Sequence, residues 1–359
     1  MMRAVRYHGP GDVRVEEIPE PVAGDGQIKI KVAWNGICGS DLHLYHALLP
    51  PITPTLITPN YVTGETLPVV MGHELSGTIV ELGAGVDSDK YAVGQNVVVE
   101  PVLSCMEPSC GPCTAGTRNV CPHLTFIGIG GGGGGMAEYI SVKQNLVYVL
   151  PAGIPLEVGA LMEPLSIVWH AINRSNFKPG DNVLILGAGP IGLLLLKVLR
   201  ARGAQWIGVS EPAARRRETA VEFSASIAFD PSSTDVVAET RRATQGQGAD
   251  VVFDCAGIQA SIDTAIVAAR PRGNVTNVAI WEKSPVIDLT TMTHKEVTIS
   301  SAVGCDRVHN DLIRAVADGK LTGLEALITR KIAFEDVVEK GILALIHEKD
   351  TQIKILVHP

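Results

Sequence analysis

Apolar side chains in the first part of the chain recur at every second position or cluster as short β-branched runs. Segments such as QIKIKVAW, LSGTIVEL, NVVVEPV, AEYISV and LVYVL follow this pattern and are separated by glycine and proline. Because successive side chains of a strand point to opposite faces, a period of two predicts strands with one buried face. The sequence therefore predicts a β-rich unit that extends to about Leu150.

The pattern then changes to strands that alternate with helices. EVGALMEPLSIVWHAINRS has helical spacing, and NVLILGAGPIGLLLLKVLRARGA runs from an apolar strand through a glycine turn into a helix. Further continuous apolar runs occur in WIGVSE, SIAFD, DVVFDCAG, NVTNVAI and VTISSAVG. Such runs are typical of a parallel sheet covered on both faces. This part predicts an α/β domain with a doubly wound sheet.

The chain has 359 residues, whereas chains longer than about 250–300 residues usually divide into more than one hydrophobic core. The end of the chain, TQIKILVHP, reads as a strand without an obvious partner in the second domain. We expect a first domain over residues 1–171, a second over 172–306, and a return to the first over 307–359.

Composition excludes several classes of partner. A net charge of −8 gives no electrostatic reason to bind nucleic acid or an anionic membrane. No apolar run approaches the roughly 18 residues of a spanning helix, so we expect a cytoplasmic protein. Four of the seven cysteines fall within 17 residues, which in an intracellular chain favours a metal site over disulfides.

Two segments interrupt the regular pattern. Residues 50–68, PPITPTLITPNYVTGETLP, are rich in proline and threonine and predict an excursion over the surface. Six consecutive glycines end at Gly135 and predict a flexible loop.

A glycine motif predicts a dinucleotide site of the Rossmann type. It follows a strand-like run, opens a helix, and precedes the acidic residue Glu211 at the end of the next strand. The helix N-terminus would face the pyrophosphate, and Glu211 would accept hydrogen bonds from the adenosine ribose. The predicted cofactor-binding residues in the motif are Gly187, Gly189, Pro190, Ile191 and Gly192.

The acidic residue favours NAD, because a carboxylate repels the 2′-phosphate of NADP. Three arginines, Arg215, Arg216 and Arg217, complicate this preference, since a nearby guanidinium can hold a phosphate. We include Arg216 among the cofactor-binding candidates.

Candidate metal ligands lie apart in sequence. Cys38 sits in a glycine-bounded turn, and MGHELSG places His73 beside Glu74. Cysteine, histidine and carboxylate form a plausible catalytic zinc set, but neighbours on a strand share one ion only where the backbone turns. Glu163 of MEPLS is a second carboxylate candidate. Each residue alone could be a packed thiol, a core histidine or a helix-start charge, but their coincidence with the dinucleotide motif favours a metal site.

GICGSDLH, GHELSG, MEPLS and LGAGPIG, in this order, resemble the zinc-dependent medium-chain dehydrogenases of the polyol and vicinal-diol branch. The resemblance covers essentially the whole chain. The segment before LPVVMGHE and the GGGGGMAEYISV segment resemble 2,3-butanediol dehydrogenases more than sorbitol dehydrogenases. The resemblance to the family implies a GroES-like catalytic domain, a Rossmann NAD-binding domain, one catalytic and one structural zinc ion, and a homodimer or homotetramer.

In this family a catalytic zinc would be held by Cys38, His73 and either Glu163 or Glu74. We favour Glu163, with Glu74 bound through water or exchanging during turnover. The resemblance further implies that Ser40 takes the substrate proton and that His43 passes it to solvent. Asp41 could orient the turn or a neighbouring residue, and no catalytic role is expected for it.

The cysteine-rich stretch resembles the structural zinc loop of the family, whose usual spacing is C-x2-C-x2-C-x7-C. Cys110, Cys113 and Cys121 fit, but four residues separate Cys105 from Cys110, and Glu107 stands where the first thiolate would be expected. We predict that Cys105 still reaches the ion, because a loop absorbs two extra residues easily and thiolates suit a closed tetrahedral site.

The resemblance implies oxidation of a secondary alcohol by zinc and NAD, with a vicinal diol such as (R,R)-2,3-butanediol giving acetoin, and the reverse reaction. A dehydrogenase of sorbitol- or xylitol-type polyols is the alternative within the family. An NAD-sensing binding protein without catalysis would have no use for the zinc and proton-relay residues. A zinc-free reductase of the same architecture would lack Cys38 or His73.

Overall fold

The computed structural model describes residues 1–46 and 52–359. They form two compact units, one of Met1–Glu163 with Asp306–Pro359 and the other of Pro164–Cys305. The boundary expected at residue 171 falls inside the helix Met162–Arg174. Residues 50 and 51 of the predicted excursion lie outside the described residues.

The first unit is rich in strands. In β3 the alternating residues Ile28, Ile30 and Val32 are buried in one core, as the period of two predicts. The largest sheet of the unit has the order β10-β6-β5-β3-β18-β17, with β9 also paired to β3. Two of these strands come from the end of the chain, β17 (Ile328–Ala333) and β18 (Lys354–His358). The elements up to the second unit are β1 (Met2–Gly9), β2 (Asp12–Ile18), β3 (Gln27–Gly36), α1 (Gly39–Tyr45), β4 (Val69–Val70), β5 (Glu74–Leu82), β6 (Asn96–Val99), β7 (Val102–Leu103), α2 (Gly111–Thr114), β8 (Thr125–Phe126), β9 (Tyr139–Lys143), β10 (Val147–Val149), α3 (Leu156–Gly159) and α4 (Met162–Arg174).

The second unit is a doubly wound α/β domain, which confirms the predicted fold class. Its six strands are all parallel in the order β13-β12-β11-β14-β15-β16. The strand order reverses between β11 and β14, and such a switch point is where open α/β sheets bind ligands. Its elements are β11 (Asn182–Leu186), α5 (Pro190–Ala201), β12 (Trp206–Ser210), α6 (Ala214–Glu222), β13 (Ile227–Phe229), α7 (Val236–Ala243), β14 (Ala249–Asp254), α8 (Gln259–Ala268), β15 (Ala269–Asn277), α9 (Leu289–Lys295) and β16 (Thr298–Ser301).

The end of the chain completes the first unit. The C-terminal strand runs parallel to β17 and antiparallel to β3, where Leu356 pairs with Gly36. The elements are α10 (His309–Ala317), β17 (Ile328–Ala333), α11 (Ala344–His347) and β18 (Lys354–His358), with a π-helical stretch at Val337–Leu343. None of the helices in the described ranges is long and apolar enough to cross a membrane.

The expectation of a flexible loop at the glycine run is wrong, because the run is packed into the first unit. A Cβ on Gly134 would overlap the carbonyl oxygen of Met71, and one on Gly135 would overlap the Asn35 side chain. Glu65 of the excursion accepts a hydrogen bond from the Gly132 backbone N–H at 2.8 Å. Composition indicated low complexity, but the glycines are there because other chain segments approach their backbone closely.

Candidate active site

Two neighbouring strands bring the first set of candidate metal ligands together. Gly36, at the end of β3, pairs with Glu74, at the start of β5. Cys38 follows the first strand and caps α1, while His73 precedes the second. Gly72, with a φ of +96°, turns the backbone immediately before His73. One ligand atom from each of Cys38, His73 and Glu74 lies within 4.8 Å of the other two.

Glu163 is buried near the start of α4 and belongs to the same electrostatic neighbourhood. Burial raises the pKa of its carboxyl to about 8; His73 opposes this rise, and the charges of Glu74 and Cys38 add to it. The carboxyl is not part of the 4.8 Å cluster among the described residues. The structure therefore brings both predicted glutamates to this region, and Glu74 is the one that belongs to the 4.8 Å cluster.

His73 is held between two side chains of α1. The Ser40 hydroxyl lies 3.1 Å from Nε2 of the ring, and Asp41 Oδ1 lies 3.7 Å from Nδ1. Asp41 Oδ2 also accepts a hydrogen bond from the Cys38 backbone N–H at 2.8 Å. A metal-binding histidine usually offers its second ring nitrogen to a carboxylate, which fixes the ring. Asp41 therefore holds the Cys38 backbone by a hydrogen bond and faces the His73 ring at 3.7 Å, in line with the expectation that it orients the turn or a neighbouring residue.

Lys354 is a member of the site that sequence reasoning missed. Its Nζ donates to both carboxylate oxygens of Glu74 at 2.7 Å and to the Ile37 carbonyl oxygen at 2.9 Å. Burial lowers the pKa of Lys354, but the Glu74 carboxylate beside it outweighs this, and the pKa is raised overall. The only sequence signal was a lysine within the apolar strand-like run QIKILV.

The donor set fits a divalent metal ion. Burial, with the charge of Glu74, raises the pKa of the Cys38 thiol to about 12, so this thiol needs a cation to ionise. Nδ1 of His73 and Oδ1 of Asp41 have no hydrogen-bond partner in the described part of the chain. A thiolate, an imidazole and a carboxylate, with the Asp41 carboxylate facing the imidazole, fit the donor set of a catalytic zinc site.

The cysteine lobe, residues 104–124, holds the second set of candidate ligands. The Sγ atoms of Cys105 and Cys113 are 3.8 Å apart, as are those of Cys110 and Cys121, and Cys121 is 3.5 Å from Cys105. A tetrahedron with zinc–sulfur bonds of about 2.3 Å has edges of about 3.8 Å, so four thiolates at these distances fit one ion. Cys105 reaches the cluster despite its longer spacing.

Glu107 lies outside this cluster of sulfurs. Its carboxylate accepts a hydrogen bond from the Tyr61 hydroxyl at 2.7 Å, and the Tyr61 ring stacks on His123 at 3.6 Å. Glu107 stands at the sequence position expected for the first thiolate, but its side chain connects the excursion to the lobe.

The glycine motif has the backbone geometry of a dinucleotide site. Gly187 has a φ of +99°, and its N–H donates to the Ser210 carbonyl oxygen at 2.8 Å. A Cβ on Gly192 would overlap the carbonyl oxygen of Gly187, so only glycine allows α5 to start so close to β11. A Cβ on Gly189, which caps α5, would meet no atom within 4 Å, so the space in front of this helix N-terminus is open.

Glu211 lies beside the glycine turn at the end of β12. Its carboxylate accepts hydrogen bonds from the backbone N–H groups of Ala188 at 2.8 Å and Ala213 at 3.0 Å. Arg215 pairs with Glu218 at 3.1 Å, and Arg217 pairs with Asp230 at 3.2 Å. These pairs give two of the three arginines carboxylate partners within the protein.

A two-domain chain with a metal-type donor set in one unit and a dinucleotide turn in the other is built as a metal-dependent dehydrogenase. Residues 24–152 match the alcohol dehydrogenase GroES-like domain, and residues 190–318 match the zinc-binding dehydrogenase domain. The chain belongs to the medium-chain zinc-dependent dehydrogenase family, oxidoreductases that act on CH–OH groups.

Several relatives are similar over the full length of the chain. An (R,R)-butanediol dehydrogenase of Bacillus subtilis is 41% identical, with all of both chains covered. One of Neisseria gonorrhoeae is 40% identical over all of this chain and 99% of the relative. The crystal structure of 2R,3R-butanediol dehydrogenase from Bacillus subtilis matches with a TM-score of 0.92 and 40% identity over all of both chains.

Two further solved structures carry nicotinamide cofactors. A zinc-binding dehydrogenase from Sinorhizobium meliloti bound to NADP is 30% identical over all of this chain and 99% of that chain, with a TM-score of 0.87. An alcohol dehydrogenase from Escherichia coli complexed with NADH is 27% identical with the same coverage and a TM-score of 0.88. These two similar proteins thus carry different forms of the cofactor.

Proposed function

We propose that this chain catalyses the zinc- and NAD-dependent oxidation of a small vicinal diol, (R,R)-2,3-butanediol, to acetoin, and the reverse reduction. The observation that carries the proposal is the cluster of Cys38, His73 and Glu74 with the Ser40 hydroxyl 3.1 Å from the histidine ring. Full-length similarity to several butanediol dehydrogenases supports the choice of substrate.

Cys38, His73 and Glu163 would hold the catalytic zinc, with Glu74 as the other possible third ligand. A zinc ion bound there would act as a Lewis acid that lowers the pKa of an alcohol hydroxyl, while NAD supplies the hydride acceptor. Asp41 would support the His73 ring from the Nδ1 side, and Lys354 balances the charge of Glu74.

Ser40 is the residue that takes the proton from the substrate hydroxyl. Its hydroxyl lies 3.1 Å from Nε2 of His73, the ring nitrogen that would face the ion because Nδ1 faces Asp41. His43, one turn further along α1, is half-buried and passes the proton towards solvent. A positioned group of this kind accelerates proton transfer by about 10²–10⁴-fold.

The four sulfurs of the cysteine lobe would hold a second, structural zinc ion. A closed set of four thiolates leaves no position for substrate, so this ion stabilises the lobe and takes no part in chemistry. The distances of 3.5–3.8 Å between the sulfurs support this assignment.

NAD is the preferred cofactor. The buried Glu211 carboxylate stands where the 2′-phosphate of NADP would bring further negative charge. Arg216, half-buried on α6 and among the cofactor-binding candidates, is the arginine to substitute in a test of phosphate binding.

The second unit supplies the surface for a homodimer or homotetramer. β16 pairs with β15 on one side only within the described sheet, and Ile280, Leu289 and Val303 are exposed in the same part of the chain. An open strand edge with apolar neighbours favours pairing with a second copy. Light scattering at micromolar concentration is expected to give a mass of two or four chains, and a monomer would contradict this.

The substrate proposal is tested by initial rates of NADH formation with (R,R)-2,3-butanediol and with sorbitol at matched concentrations. A clear preference for the diol is expected. A preference for sorbitol would overturn the choice of substrate, since sorbitol dehydrogenases are also related, one from Bacillus subtilis at 29% identity. Repeating the diol assay with NADP tests the cofactor assignment.

A further inference from the structure

The cysteine lobe is tied to the sheet of the first unit through one buried carboxylate, Glu100. Glu100 follows β6, and its side chain is fully buried. Arg118, inside the lobe, donates a guanidinium N–H to Glu100 Oε1. Tyr148 of β10 donates its hydroxyl to Oε2 at 2.9 Å. The carboxylate therefore joins the lobe to a strand outside it.

Arg118 supplies the positive charge that balances Glu100. His309 of α10 also lies close, with Nδ1 3.3 Å from Glu100 Oε2 and its ring stacked on Tyr148 at 4.6 Å. Burial, with the charge of Arg118, lowers the pKa of His309 to about 3, so this ring is neutral near pH 7. Removing Arg118 would leave Glu100 as a buried charge without its cation, which is strongly unfavourable.

The position of Arg118 fixes one of the four sulfurs. The residue opens the 3₁₀ turn Arg118–Val120, and the Cys121 backbone N–H donates to the Arg118 carbonyl oxygen at 3.1 Å. Cys121 is the one buried cysteine of the four, and its Sγ lies within 3.8 Å of the sulfurs of both Cys105 and Cys110. A shift of the turn would therefore move a sulfur that lies close to two others.

A second arginine contacts the lobe but is exposed. Arg307 donates to the Gly116 carbonyl oxygen at 2.9 Å, with 67% of its side chain accessible, whereas the Arg118 side chain is only 16% accessible. Water can replace the exposed hydrogen bond when Arg307 is removed. The two arginines thus provide a matched comparison between a buried and an exposed anchor.

We propose that Glu100 and Arg118 are positioning residues for the metal of the cysteine lobe: the pair holds the Cys121 sulfur in place and slows release of the ion. The proposal rests on the structural zinc of the proposed function. Neither side chain is a ligand, so their effect on the ion is indirect, as for outer-shell groups that change metal affinity about 10–100-fold.

The test is the rate at which the full-length metal-loaded protein releases zinc to a chromogenic chelator. In Arg118→Met one of the two ions is expected to leave at least about tenfold faster, with the other ion unaffected. Arg118→Lys is expected to restore slower release, Glu100→Gln to accelerate it, and the control Arg307→Met to match the parent. Selective release of one ion separates this role from a general loss of stability.

Release from a folded Arg118→Met at the rate of Arg307→Met would overturn the proposal. If Arg118→Met does not fold, Tyr148→Phe removes the hydroxyl bonded to Glu100 and serves instead. Faster release from it supports the proposal, and unchanged release from both it and Glu100→Gln overturns it. A parent with one ion would contradict the structural zinc itself, whereas two ions with unchanged release contradict only the role of the pair.

Discussion

Lys354 Nζ bonds to both carboxylate oxygens of Glu74 at 2.7 Å, across 280 residues of sequence. Both side chains are buried, and the same Nζ donates to the carbonyl oxygen of Ile37, next to Cys38. The C-terminal strand thereby places a permanent positive charge beside the candidate ligands. The Lys354 ammonium group fixes the orientation of the Glu74 carboxylate and offsets its negative charge.

Removing this cation should destabilise the fold. Lys354→Met leaves Glu74 as an unpaired buried charge, and we expect the free energy of unfolding in urea to fall by about 3–5 kcal/mol. Lys331→Met, which breaks the half-exposed pair with Glu157, is the matched control and should cost no more than about 1 kcal/mol. Equal stabilities for the two variants would contradict the assigned importance of the buried pair.

Ser40 should matter for turnover and not for metal binding. Ser40→Ala is expected to lower kcat for diol oxidation by about 10²–10⁴-fold, because the proton loses its acceptor, while the zinc content stays at the parent level. Ser40→Thr keeps a hydroxyl and should recover much of the rate. If Ser40→Ala turns over within a few-fold of the parent, the proton path is wrong.

The choice between the two glutamates is decided by metal analysis. With Glu163 as third ligand, Glu163→Gln should lose the catalytic ion on dialysis and retain one zinc per chain, whereas Glu74→Gln should retain two. Loss of the ion from Glu74→Gln alone would assign the third ligand to Glu74. This result would also fit the 4.8 Å cluster of Cys38, His73 and Glu74.

The same analysis tests the first ligand of the cysteine lobe. Cys105→Ser should retain one tightly held zinc per chain, because it removes a sulfur that lies 3.5 Å from Cys121. Glu107→Gln is the control, since that side chain bonds to Tyr61, and it should retain two ions. Two tightly held ions in Cys105→Ser would rule out Cys105 as a ligand.

Local patterns were enough to predict much of the fold and the ligand types. The alternation in QIKIKVAW and the glycine turn after NVLIL depend on interactions within a few residues, and both formed as predicted, as β3 and as the β11–α5 turn. Cys38 and His73 could be named as candidate metal ligands because both are metal-binding residue types in short glycine-containing motifs.

The sequence patterns could not predict contacts between segments that are far apart in the chain. Lys354 reaches Glu74 only because β18 returns to β3, and nothing near TQIKILVHP indicates that partner. The glycine run was misjudged for the same reason, since Met71 and Asn35, which exclude a Cβ there, lie far away in the chain. Composition describes a segment but not what packs against it.

The central claim is that a metal ion at Cys38 and His73 enables NAD-linked oxidation of a secondary alcohol. The most direct measurement is the initial rate of NADH formation from (R,R)-2,3-butanediol before chelation, after removal of the exchangeable ion, and after zinc is restored. We expect the rate to disappear with the ion and to return with zinc in the parent, but not in Cys38→Ser. Full activity in the stripped protein, or in Cys38→Ser, would contradict the claim.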